Sequence, residues 1–150
     1  MSLADAFSAD ERRESFRRQF RPGVVVKLFC KFTDPQKEKR LLIVSVEPYP
    51  LFFVINSNTN EYKQKRPHLL RQQLLLQQSH YPFLEHDSYV DCSKVRGDFS
   101  KAEIEGIISR ESKRLLGMIN EDAVADVLTT VNDSVTLEPR HKTKIINDLH

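Results

Sequence analysis

The feature that most constrains this chain is a change of hydrophobic period near residue 98. Upstream, apolar and polar side chains alternate. Val24, Val26, Leu28, Cys30 and Phe32 fall on one face of an extended segment, with Lys27 and Lys31 on the other. Downstream, apolar residues recur at helical spacing, as Ile104, Ile107 and Ile108 and then as Ala123, Val124, Val127, Leu128 and Val131. A run of strands followed by a run of helices predicts an α+β fold.

The segment boundaries follow from turn and cap chemistry. Strands are expected near residues 24–32, 41–46, 51–55, 73–77 and 87–92. Leu41 to Val46 is nearly all apolar and should be buried on both faces. Asp34-Pro35, Pro48-Tyr49-Pro50 and the run Asn56 to Asn60 separate the strands. Helices are expected near 101–109, 121–132 and 140–148, opened by a Ser100–Glu103 capping box, an Asn120 cap and Pro139. A Ser8–Glu11 capping box predicts an earlier helix from Ser8 to Phe20, closed by Pro22-Gly23. Residues 1–21 therefore read as an N-terminal helical arm. Residues 22–150 read as a single domain, a small, closed, strongly curved antiparallel β-barrel of Src-homology-3-like form with C-terminal helices outside it.

Charge is distributed unevenly. Residues 12–71 carry fourteen Lys and Arg against five Asp and Glu, whereas residues 72–150 carry nine against thirteen. A basic half of this kind attracts polyanions, although a charged run is also the ordinary composition of a solvated face. No apolar run approaches the ~18 residues of a membrane span. The N-terminus carries Asp5, Asp10 and Glu11 and does not read as a signal peptide, so the expected location is cytoplasmic. Cys30 and Cys92 lie in apolar stretches outside any CxxC pair and read as buried reduced thiols. The five histidines lack metal-pair spacing, and four glycines cannot build a phosphate loop; no metal or cofactor is expected. Glu85-His86-Asp87 reads as a polar turn ahead of a strand.

One constellation suggests chemistry. Arg40 stands at the entry of the strand 41–46, and Ser57 stands at the exit of the strand 51–55. In an antiparallel hairpin these positions lie at the same end. A guanidinium fork and a hydroxyl can together hold a phosphodiester. RNA cleavage asks little more, because the 2′-hydroxyl is an internal nucleophile and the protein need only stabilise charge and assist proton transfer. Lys39, Asn56, Lys63, Lys65, Arg66 and Arg71 are the expected RNA-binding residues beside this pair. Read alone, Arg40 is more readily a surface arginine and Ser57 a turn residue.

The order of these pieces resembles the MazF/PemK toxin family. Lys39-Arg40-Leu41-Leu42-Ile43-Val44-Ser45 is similar to that family's Arg-led buried strand. Phe53-Val54-Ile55-Asn56-Ser57 is similar to its strand ending in a Ser/Thr motif. Asp91-Cys92-Ser93-Lys94-Val95 and Leu116-Gly117-Met118-Ile119 resemble its late strand and the segment before its C-terminal helix, so the resemblance spans residues 22–132. Leu41 and Ile55 stand where the family has prolines, and the basic segment 61–72 and the last helix are additions. The resemblance implies a metal-independent endoribonuclease of a toxin–antitoxin system that cleaves single-stranded RNA. It implies a homodimer, an inhibitory antitoxin partner, and catalytic roles for Arg40 and Ser57. The alternatives are a non-catalytic barrel of the same kind that binds a protein target or nucleic acid, and an unrelated α+β domain with a structural role.

Overall fold

The computed structural model describes residues 3–58 and 61–150, with side chains for 9–58 and 63–150. Helix α1 spans Leu3–Gln19, and strands β1 (Val24–Cys30), β2 (Lys37–Ser45) and β3 (Leu51–Asn56) follow. Two short helices, α2 (Glu61–Gln64) and α3 (Pro67–Leu70), lead to β4 (Gln73–Leu76) and β5 (Ser88–Arg96). Helix α4 (Lys101–Arg110), a 3-10 turn (Ser112–Arg114) and β6 (Leu115–Met118) come next. The chain ends with α5 (Glu121–Asp133) and α6 (Pro139–Leu149).

The strands form one antiparallel half-barrel sheet in the order β4-β5-β3-β2-β1-β6. All five expected strands are present. A sixth, β6, adds to the free edge of β1, and among the described residues no pairing joins β4 to β6. The α+β class and the helices beyond the sheet are as the sequence predicts. Where a closed barrel was expected, the sheet stays open at these two edges.

Both faces of the sheet are covered, which explains why β2 is apolar on both sides. Leu42 and Val44 join Val25, Phe53, Ile55, Val90 and Cys92 in a core sealed by Val127 and Val131 of α5 and by Ile145 and Leu149 of α6. Leu41 and Ile43 face the other way, into a core with Val26, Leu28, Cys30, Phe52, Phe16 of α1, Phe20 just past that helix, and Ile104 and Ile108 of α4. Each large side chain withdrawn in this way contributes about 1.5–3 kcal/mol. The segment expected as an N-terminal arm is thus packed: Phe16 and Phe20 stack with ring centroids 4.8 Å apart. Helix α1 begins upstream of Ser8, so the Ser8–Glu11 box does not open it, and the side chain of Ser8 lies outside the described residues.

The other caps form as read. Ser100 and Glu103 exchange hydrogen bonds at the start of α4, Asn120 accepts from the Ala123 amide at 2.9 Å, and Pro139 occupies the first turn of α6. Gly23 makes the corner between α1 and β1 with φ +100° while its amide donates to Ile43 O at 2.7 Å; a side chain there would be strained. Among the described residues, no helix is long and apolar enough to cross a membrane.

Candidate nucleic-acid interface

Strand alternation decides which polar groups meet. On β2, Arg40 projects to the α5/α6 face and Lys39 to the α1/α4 face. Arg40 is paired directly with Lys27 on β1 and with Ile55 on β3. The Arg40 Nε donates to Phe83 O at 3.2 Å, and an Nη lies 3.8 Å from the exposed Glu85 carboxylate.

Around this position opens a cleft of about 750 Å³ lined by Lys27, Glu38, Arg40, Arg110, Glu111, Ser112, Lys113, Arg114 and Leu116. Five of these side chains are cationic and two are acidic. Arg114 holds both acids: it grips Glu38 with a two-pronged fork and also bonds Glu111, while donating to Lys27 O at 2.9 Å. Its hydrogen bond holds the Glu38 carboxyl below the usual carboxylate range, and the same two acids raise the Arg114 guanidinium. With its acids engaged, the cleft keeps an excess of positive charge from Lys27, Arg40, Arg110 and Lys113.

Ser57 is exposed in the bend just past β3, two residues beyond Ile55, the partner of Arg40. β2 begins at Lys37, so Arg40 is its fourth residue rather than its entry, and Ser57 follows two residues after the register partner of Arg40. The remaining expected RNA-binding residues do not gather there. Lys39 Nζ donates to Asn56 Oδ1 at 2.6 Å on the α1/α4 face, and burial lowers its pKa. Lys63 is paired with Asp91, which accepts from Gln73 at 2.8 Å and also from Ser93. Asp91 is the register partner of Val54 and Gln73, which places this cluster on the α1/α4 face too.

The cause is topological. β3 and β4 run parallel with β5 between them, so residues 57–72 must cross the sheet to reach β4. The basic segment is used in that crossing. Lys65 is exposed at the end of α2. Arg66 precedes α3, and its amide donates to Lys63 O. Arg71 lines a separate cleft with His68, Thr129, Thr130 and Asp133, against α5. The expectation that Lys63 and its neighbours line one groove with Arg40 is therefore corrected: the cations beside Arg40 are Lys27, Arg110 and Lys113. Lys27 could be read from alternation as a solvent-side residue. Nothing local marks Arg110, Lys113 or Arg114, which come to β1 and β2 from over seventy residues away.

No protein-family profile matches the chain, and no curated protein matches it.

Proposed function

We propose that this chain binds single-stranded RNA in the cleft headed by Arg40 and cleaves its phosphodiester backbone. The observation that carries the reading is the pairing of Lys27 with Arg40. Like charges directly opposite on one sheet face destabilise it, and a bound polyanion would relieve that repulsion. In the proposed reaction the 2′-oxygen attacks the adjacent phosphorus and the bond to the 5′-oxygen breaks. The products are a 2′,3′-cyclic phosphate and a 5′-hydroxyl; the 2′-proton leaves to solvent, and the leaving oxygen gains one. Arg40 contributes fixed charge against the growing phosphorane. Two of its five N–H donors face Phe83 and Glu85, which leaves donors for a phosphate. Ser57 adds one hydrogen bond. Metal independence, a toxin role, an antitoxin partner and a homodimer rest on the resemblance to MazF/PemK proteins alone.

A second reading is binding without cleavage. It is favoured by the Arg40 contacts to Phe83 and Glu85, which make the guanidinium part of the scaffold. Incubation with mixed-sequence RNA in EDTA separates the two. Fragments ending in cyclic phosphate support the nuclease, a gel shift without fragments supports the binder, and neither result sinks both.

A further inference from the structure

Phe29 stands beside this cleft, and its ring is 47% exposed. It lies on β1 two residues beyond Lys27, hence on the same face as Arg40, and its register partner is Glu38, a residue of the cleft wall. Its flanks are ionic: Lys27 on its own strand, Lys31 in the turn just past it, and the Glu38–Arg114 fork across from it. The other exposed large apolar residues, Tyr49, Leu70, Leu75, Met118 and Val135, belong to other elements or loops.

We infer that Phe29 is a stacking platform for an unpaired nucleobase, with Lys27, Arg110 and Lys113 holding the adjoining phosphates. This deepens the RNA reading and rests on it. An exposed ring set among cations on one face is the arrangement by which single-stranded nucleic acid is held. The ring takes the π-face of any base, and the cations follow the backbone. A protein partner that buried Phe29 would want a contiguous apolar patch, and charged groups surround this ring. On the sheet, β2 pairs β1 from Val25 to Cys30 and β6 pairs it over Val24–Val26. The subsite would favour single-stranded over duplex RNA, since a paired base hides both of its faces.

The test uses the full chain and a short 2′-O-methyl oligoribonucleotide, which cannot be cleaved, carrying one 2-aminopurine. Binding to wild type should quench the 2-aminopurine. Phe29→Ala should bind roughly ten- to a hundredfold more weakly with the salt dependence of binding unchanged, and Phe29→Trp should restore both affinity and quenching. Lys113→Ala should instead flatten the salt dependence by about one unit of slope. Wild-type binding that Phe29→Ala leaves unaltered overturns the platform and spares the RNA reading. No binding by wild type overturns both. A shift of Phe29→Ala from dimer to monomer by light scattering also overturns it, because the ring would then be a subunit contact.

Discussion

Lys63 and Asp91 form an ion pair that fixes the crossing segment between β3 and β4 onto the sheet face opposite Arg40. Both side chains are largely withdrawn from water, at 16% and 13% exposure. Burial pushes the Asp91 carboxyl up, but hydrogen bonds from Lys63, Ser93 and Gln73 prevail and hold it below its ordinary range. Asp91→Ala would remove the carboxylate on which Lys63, Gln73 and Ser93 converge and should cost about 2–4 kcal/mol by urea denaturation. The pH dependence follows from the sign of the shift. A depressed folded pKa gives stability that is complete above the unfolded carboxylate pKa and is lost as pH falls through the folded value. Wild-type stability should therefore decline as pH falls below about 5, and that slope should be shallower in Asp91→Asn. Equal slopes would mean that the carboxylate contributes nothing.

The opposed cations on β1 and β2 predict a trade between stability and binding. Lys27→Glu converts a like-charge cross-strand pair into an opposite-charge pair with Arg40. It should stabilise the fold by about 0.2–1 kcal/mol, seen as a Tm rise of about 1–3 °C. The same change should weaken RNA binding severalfold and reduce its salt dependence. Charge reversal at Lys65, outside the cleft, should do much less. A lower Tm together with undiminished binding would remove Lys27 from the interface.

Covering of the sheet on its second side also carries a measurable consequence. Ile145 of α6 is fully buried, and Ser45 of β2 donates to Asp148 of the same helix at 2.6 Å. Ile145→Ala should destabilise by about 2–5 kcal/mol through lost transfer energy and the cavity left behind. The amides of α6 should then lose hydrogen-exchange protection before those of β2. Uniform loss across the sheet would show that α6 unfolds only with the whole domain.

These relationships divide into what a sequence states and what only topology supplies. The burial of β2 on two faces was legible in Leu41–Val44, because four successive apolar residues leave no solvent side. The Ser100–Glu103 and Asn120 caps were legible because they act over three residues. Strand β6 was hidden because Leu115–Met118 is short and contains Gly117, which reads as a turn. The site divides in the same way. Ser57 follows two residues after the register partner of Arg40, a short-range inference. Lys39 and Asn56 were grouped with them by sequence adjacency, and the period-two alternation sends both to the opposite face. The cations that do accompany Arg40 depend on where the α4–β6 segment returns to β1, which no local signal encodes.

The sharpest prediction concerns Arg40 and Ser57 in RNA cleavage. A guanidinium offers fixed charge and a planar fork of donors, and Arg40 should act through these. Arg40→Ala should abolish cleavage. Because it also removes the hydrogen bond to Phe83 O, it should cost about 1 kcal/mol of stability, which a thermal melt measures separately. Arg40→Lys keeps the charge and loses the fork, so its kcat/KM should fall well below wild type while RNA affinity changes little. Ser57 is exposed and contributes a single donor; Ser57→Ala should lose about 10²-fold in kcat, the scale of one donor to a developing charge, with an unaltered melt. A pair acting on one phosphate should also be non-additive, so Ser57→Ala should add little in an Arg40→Lys background. Full activity in Arg40→Ala would move the chemistry away from the β2–β3 hairpin. Losses in Arg40→Lys and Ser57→Ala that simply multiply would place the two side chains on different groups.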